Sequence, residues 1–412
     1  MAKTEKENIV VGLDIGTTKI CTIIGEITND EINIVGVGNS PSTGLSKGVV
    51  LNSENTVESI KKAVDDASRM AGVEVGTVYA GIAGGHIKGI NSHGVIAVSG
   101  NNKEVTQEDV DRVIDAAKAV AIPMDREVIH VIPQEFIVDN QDGIKDPVGM
   151  SGIRLEAEVH IVTAAVTSAQ NIVKSVERAG YYVEDIVLQP LASSEAVLTQ
   201  DEKDLGVILV DIGGGTTDIV IYSEGGIRHT AVLAIGGNFV TNDIAIGLRT
   251  PTAEAEELKK KYGCALSSLI GHEEIKVAGV GGRADRAIPR RALAEVIQPR
   301  MEEIFELVGQ EIRNNGFENK IAGGIVVTGG TAMMSGVSEL AEKILSNSVR
   351  IGVPKGISGL VDVVSSPIYA TGVGLVIYGA KNNPAERERR LTGDNLFVKV
   401  FERMKEWFGE FF

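Results

Sequence analysis

The chain has 412 residues, is 43% hydrophobic and 4% aromatic, and carries a formal net charge of −16 at neutral pH. That length predicts two domains or more, each with an ordinary globular core. The acidic balance argues against general nucleic-acid binding and against recruitment to an anionic membrane by charge alone.

Cys21 and Cys264 are the only cysteines, which fits buried small hydrophobes in a reducing compartment. The first residues have no apolar core, so no secretory signal is expected. No stretch reaches the ~18 charge-free apolar residues of a membrane span. A cytosolic protein is expected.

Residues 10–14 form an apolar run that ends in Asp14-Ile15-Gly16. It continues through Thr17, Thr18 and Lys19 into a second run, 20–24. This reads as strand, tight turn, strand. An Asp at the end of a buried strand is costly without a partner. Glycine beside it lets backbone N–H groups converge on an anion, and threonine hydroxyls add donors. A phosphate chain with a divalent cation would satisfy both features.

Strand 31–37 follows, then helical spacing over 52–70 with Gly72 as its stop. Strand 75–82 ends at Gly84-Gly85. Alternation over 85–100 reads as a hairpin. A capping-box-like start at Thr106 predicts a helix to about 122, closed by Pro123. Strands are expected over 127–139 and 154–166, with a polar loop between them. Together these make an inserted β-β-α-β-β subdomain of about 80 residues, within the usual small-domain range. Helix 168–179 and strand 183–188 follow, leading to Gln189-Pro190.

The first motif then recurs. Leu209-Val210-Asp211-Ile212-Gly213-Gly214-Gly215-Thr216-Thr217-Asp218 lies in a second strand-turn-strand over 205–222. Two matching copies far apart point to two pseudo-equivalent lobes facing one nucleotide. Strand 232–235 leads through Gly236-Gly237-Asn238 into a helix from about 239. A charged helix is expected over 252–262, a poorly periodic stretch over 271–291 and a long amphipathic helix over 291–314. Strand 321–327 ends in Thr328-Gly329-Gly330-Thr331, with a helix over 335–346 after it. A glycine-interrupted apolar helix is expected over 366–380. The glycines at 329–336 suit a flat base approaching the backbone, beside a helix N-terminus.

Other chemistries find little support. There is no Gly-Lys dipeptide, so there is no P-loop. No G-x-G-x-x-G follows a strand, since Pro41 stands where Gly36-Val37-Gly38 would need a third glycine. His272-Glu273 is not a metal motif, because Lys276 occupies the second histidine position. The six histidines read as structural or surface residues.

Residues 381–394 form a polar linker, and 395–412 are amphipathic. Phe397, Val400, Phe401, Met404, Trp407, Phe408 and Phe411 recur at steps of three and four, with charges on the other side. The pattern fits an interfacial membrane helix, with a helix docked on its own core as the alternative. Burial of a large apolar side chain is worth about 1.5–3 kcal/mol, so one tail binds reversibly. Firm attachment needs many tails on one polymer.

The order of these motifs resembles the actin/Hsp70/sugar-kinase superfamily of ATPases. The resemblance implies a two-lobed α/β fold with duplicated RNase H-like lobes. The first lobe would span 1–83, 166–204 and 366–380, with the insertion at 84–165. The second would span 205–227 and 301–365, with a small subdomain at 228–300. ATP and Mg²⁺ are the implied cofactors. Asp14 and Asp211 would hold the metal through water, and Gln189 would orient the attacking water. Gly16, Thr17, Thr18, Lys19, Gly213, Gly214, Gly215, Thr216 and Thr217 would cradle phosphates. Gly236, Gly237, Asn238, Gly329, Gly330, Thr331 and Met333 would line the adenosine side. Glu256 and Lys259 would reach the ribose or base, though their helix reads equally as a solvated face.

Within that superfamily the insertion, the tail and the stretches 206–218, 228–230, 237–238 and 293–300 resemble the FtsA family of bacterial cell-division proteins. That implies ATP binding with at most slow hydrolysis and filaments of like copies. It also implies contacts with other division proteins and tethering of the tubulin-like protein FtsZ to the inner face of the membrane. The arginine-rich 283–300 segment lies where FtsZ would be met, a solvated basic face being the alternative. A pilus-assembly actin homologue shares the insertion but lacks such a tail. A small-metabolite kinase has no use for the tail, and an Hsp70-type chaperone needs a large domain after the ATPase.

Overall fold

The computed structural model of the chain describes residues 8–28, 31–99 and 102–382. The first lobe opens with β1 (Ile9–Ile15), β2 (Lys19–Thr28) and β3 (Glu31–Pro41), an antiparallel meander. Helix α1 (Ser53–Ala71) starts where the Asn52 side chain accepts from the Asn55 N–H. It stops at Gly72, whose φ of 67° is the left-handed turn that glycine allows. Strand β4 (Thr77–Ile82) then pairs parallel to β1.

The inserted subdomain follows. It consists of β5 (Lys88–Ala97), α2 (Gln107–Lys118), β6 (Arg126–Val138), β7 (Gln141–Ile144) and β8 (Arg154–Ala165). Its sheet runs β5-β8-β6-β7, with α2 packed on one face. The expected capping box is present at Thr106 and Asp109. One strand precedes the helix and three follow it, unlike the order read from sequence. The glycines at 89 and 94 lie within one strand and mark close approach. A Cβ on Gly94 would fall 2.4 Å from the Val113 carbonyl of α2, and one on Gly89 would fall 2.7 Å from the His160 ring. Helix α2 also ends four residues earlier than expected.

The chain returns to the first lobe with α3 (Val166–Ala179) and β9 (Tyr182–Leu188), which pairs parallel to β4. Helices α4 (Gln189–Val197) and α5 (Gln200–Leu205) cross to the second lobe. There β10 (Val207–Ile212), β11 (Thr217–Ser223) and β12 (Gly226–Leu233) repeat the antiparallel meander. After them come α6 (Gly237–Gly247) and α7 (Thr252–Tyr262). The stretch that lacked periodicity holds a small hairpin, β13 (Glu274–Val277) and β14 (Arg286–Pro289). Then follow α8 (Arg290–Asn314), β15 (Ile325–Thr328), α9 (Val337–Leu345) and β16 (Val349–Ile351). Helix α10 (Ala370–Lys381) closes the described chain, its first expected turn being a 3-10 turn at 367–369.

The two main sheets have the same order. The first runs β9-β4-β1-β2-β3, extended by a short strand at Ser358–Gly359, and the second runs β16-β15-β10-β11-β12. In each, the first three strands are antiparallel and the last two join parallel. The repeat seen at two turns therefore extends to whole lobes. Strand β10 is buried along its full length. Val207 and Leu209 face the first core, while Ile208, Val210 and Ile212 face the second. A strand covered on both faces has to be apolar throughout, which is why Asp211, next to its last residue, stands out.

Candidate functional site: a cleft between two matched turns

The β1–β2 and β10–β11 turns have the same geometry. The Gly16 N–H donates to the Lys19 carbonyl at 3.1 Å, and the Gly213 N–H donates to the Thr216 carbonyl at 3.0 Å. The closing bond of each turn leaves the amides of its two middle residues outside it. The tips face one another. A Cβ on Gly215 would lie 2.5 Å from the Thr17 hydroxyl, and Thr18 Oγ1 donates to Asn238 Oδ1 at 3.4 Å. Glycines 214 and 215 therefore serve close approach between the lobes.

Three carboxyls lie buried behind the tips. Asp14 Oδ1 accepts from Gln189 Nε2 at 3.1 Å. Asp211 Oδ2 accepts from Ser193 Oγ at 2.6 Å and Thr371 Oγ1 at 3.3 Å. Asp218 sits directly opposite Asp211 across the ladder. Its Oδ2 accepts from Thr216 Oγ1 at 2.9 Å, and its Oδ1 is buried with no partner among the described residues. Burial pushes Asp14 up to about 7, with Asp211 adding to the rise and Lys19 opposing it. Burial also raises Asp211, against the Ser193 and Thr371 hydrogen bonds. Asp218 is raised well above the carboxylate range by burial and then by Asp211.

Sequence reasoning passed over Asp218, although it ends the quoted motif. The usable signal was its register: seven residues after Asp211, across a four-residue turn, places it on the neighbouring strand beside the first carboxyl. In the first lobe the matching position, opposite Asp14, is Cys21. Ser193 and Thr371 were also missed, since nothing local marks a serine or threonine on these helices as a partner of Asp211.

The other expected residues divide into two groups. Gly236, Gly237 and Asn238 abut the second turn, with the Gly237 and Asn238 N–H groups donating to the Gly213 and Gly214 carbonyls at 2.9 and 2.8 Å. Thr331 Oγ1 reaches the Gly213 carbonyl at 3.3 Å. Gly329, at φ 87°, has Asp211 Oδ1 only 2.3 Å from where a Cβ would stand. Lys259 Nζ donates to the Gly237 carbonyl at 3.0 Å and Thr241 Oγ1 at 2.8 Å, and pairs with Glu256 at 2.7 Å. Helix α7 thus turns both residues toward the site. Burial lowers Lys259, while Lys259 holds Glu256 down against its own burial.

Three of these side chains have contacts of their own in the structure. Lys19 Nζ donates to the Ile368 carbonyl at 3.0 Å and lies 4.4 Å above the Tyr369 ring. The Thr217 hydroxyl is spent on the Ile235 carbonyl at 2.9 Å. Met333 is 59% exposed, its sulfur 3.5 Å from Ser366 Oγ. Gly330 has open space before it: a methyl group there would meet only the Ile368 side chain, at 3.9 Å. Phe397, Val400, Phe401, Met404, Trp407, Phe408 and Phe411 lie outside the described residues, as does most of the linker. Among the described residues, no helix is long and apolar enough to cross a membrane.

The family model described as cell division protein FtsA matches residues 208–374, and that of the SHS2 domain inserted in FtsA matches 84–163. The cell division protein FtsA of Pseudomonas aeruginosa is 52% identical, over 99% of each chain. The chain belongs to the FtsA family of cell division proteins. FtsA of Escherichia coli K12 is 44% identical over 99% of both chains. FtsA of Bacillus subtilis is 44% identical over 91% of this chain and 84% of its own.

Solved structures carry the fold further. The PilM-PilN type IV pilus biogenesis complex matches with a TM-score of 0.66 at 15% identity, covering 91% of this chain and 99% of that one. MreB5 of Spiroplasma citri bound to ADP matches at 0.54 and 16%, covering 94% and 99%. At such identities the likeness concerns the fold alone. FtsA membership makes the protein a cell-division protein, and its architecture is the fold it shares with these solved structures.

Proposed function

We propose that this FtsA-family protein binds ATP with Mg²⁺ between its lobes, assembles with its own copies into filaments, and links FtsZ to the cytoplasmic face of the membrane at the division site. The observation that carries the reading is the meeting of two matched glycine turns over buried Asp14 and Asp211. Their raised pKa values and the unpartnered Asp218 Oδ1 describe a pocket short of positive charge. A divalent cation fits that deficit. MreB5 of similar fold has been solved with ADP and with AMPPNP.

Asp14 and Asp211 would hold the metal through water. The turns at 16–19 and 213–217 would bind phosphates, with Gly236–Asn238 lining the adenosine side. Residues 329–333, Glu256 and Lys259 would take the adenosine. When bound, the metal supplies charge neutralisation, the main requirement of phosphoryl transfer. Gln189, held by Asp14, has its carboxamide fixed beside the phosphate turns, where it would orient water.

Residues 395–412 supply the membrane contact, weak singly and firm when many act on one polymer. Electron microscopy on lipid monolayers with ATP tests the filament and membrane parts of this reading. Ordered filaments are expected with the full chain and none after deletion of 395–412. Equal lipid decoration by both would overturn the tail's role, and absence of ATP-dependent assembly would overturn the filament.

A further inference from the structure

Asp211 is the only one of the three carboxyls held by hydroxyls from two different connecting helices. Ser193 comes from α4 and Thr371 from α10, and the two hydroxyl oxygens are themselves 3.0 Å apart. Ser193 Oγ–H donates to Asp211 Oδ2, and Thr371 Oγ1–H donates to that same oxygen or to Ser193 Oγ. All three groups lie where the helices cross so closely that a Cβ on Gly374 would stand 1.8 Å from the Ala192 carbonyl.

Helix α4 also carries Gln189, four residues before Ser193 and so on the same helical face. Gln189 reaches Asp14 of the first lobe, and Ser193 reaches Asp211 of the second. One rigid helix therefore sets the spacing of two aspartates that belong to different sheets. The opposite oxygen of Asp211, Oδ1, is walled by Gly329, whose missing side chain gives it room.

We infer that Ser193 and Thr371 are positioning residues for the magnesium site: their hydroxyls fix one carboxylate oxygen of Asp211 and leave the other aimed into the cleft for the metal's water shell. A carboxylate freed of these donors rotates, and its charge is no longer held at one place between the lobes. The inference rests on the nucleotide reading above. It assigns a task to two residues that reach the site through Asp211.

The test is binding of a fluorescent ATP analogue to the full-length protein, titrated with Mg²⁺ and repeated in EDTA. The proteins are wild type, Ser193→Ala, Thr371→Val, the double variant and Ser193→Thr. Half-saturating Mg²⁺ is expected to rise about tenfold in the double variant and less in each single one, a tenfold change being about 1.4 kcal/mol. Affinity in EDTA should stay within about twofold, and Ser193→Thr should restore the wild-type Mg²⁺ response. An unchanged Mg²⁺ response in the variants overturns the inference. So does an equal loss with and without Mg²⁺, the mark of a merely structural role. A wild-type protein with no Mg²⁺-dependent nucleotide binding overturns the nucleotide reading, and the inference falls with it. The single variants and the threonine rescue keep the test decisive if the double variant does not fold.

Discussion

Gly214 and Thr18 meet across the cleft so closely that a methyl group on Gly214 would fall 1.9 Å from the Thr18 hydroxyl. The two residues come from different lobes, so the contact exists only while the lobes are closed. Gly214→Ala is therefore expected to leave each lobe folded and to block their approach. Nucleotide affinity should fall by at least about tenfold, with little change in the melting temperature of the nucleotide-free protein. Gly76→Ala serves as the control, since its new methyl would meet nothing within 4 Å. Fluorescent-nucleotide binding and differential scanning fluorimetry read both quantities. Undiminished binding by the alanine variant would show that closure does not require this contact.

Asp218 faces Asp211 across the ladder with one oxygen unpartnered. Replacing it by Asn keeps an acceptor for Thr216 and removes the like-charge pair. The nucleotide-free protein should gain about 1 kcal/mol, since a neutral amide costs less to bury beside Asp211 than a second carboxyl group that can ionise. Its Mg²⁺-dependent nucleotide binding should weaken at the same time. Denaturant unfolding and Mg²⁺ titration measure the two effects. A variant that loses stability would mean that Asp218 has a partner it needs.

Much of this was legible in the sequence, for reasons that differ from place to place. Strand β1, the echo at β10 and the cap at Thr106 announce themselves through apolar runs, Asp-Ile-Gly endings and a capping box, all of which are local. An inserted subdomain was expected, but its strands are distributed differently. Gly89 and Gly94 carry no mark that distinguishes a turn from a strand pressed against His160 or α2. Ser193 and Thr371 were invisible because their role depends on a helix crossing between segments 178 residues apart. Lys19 sits in the motif, yet its side chain turns to Ile368, a long-range partner that no spacing reveals.

Gly374 is the point at which α10 meets the α4 backbone. A Cβ there would overlap the Ala192 carbonyl, which belongs to a helix and cannot move alone. Gly374→Ala is expected to cost about 3 kcal/mol, the upper end of the range for overpacked cores. Helix propensity alone would favour alanine by about 1 kcal/mol, so the sign of the measured change separates packing from propensity. A stabilised variant in denaturant unfolding would contradict the tight crossing on which the placement of Ser193 and Thr371 depends.

Two buried histidines give the protein a specific acid sensitivity. His130 Nε2 accepts the Leu188 N–H at 3.0 Å, just before α4 begins, so that nitrogen carries no proton. Burial holds His130 down to about 4. His160 bonds to Asn91 at 2.6 Å and Thr230 at 2.8 Å, joining the inserted sheet to β12, and is also held near 4, by burial and then by His229. A histidine whose folded pKa lies below its ordinary 6.5 lets the unfolded chain take protons first. Its contribution is fully present above about pH 6.5 and is lost as the pH falls toward 4. At pH 5 the loss is on the order of 2 kcal/mol for each histidine. Asp14 and Glu127, both raised to about 7 by burial, act in the opposite direction and favour the folded state as the pH falls. The wild-type curve is thus a sum, and the histidine contribution appears in a difference. Denaturant unfolding of wild type and His130→Gln at pH 7.5 and pH 5 isolates it. The variant's penalty should shrink by on the order of 2 kcal/mol at the lower pH. A penalty independent of pH would mean that His130 takes up its proton no more readily unfolded than folded.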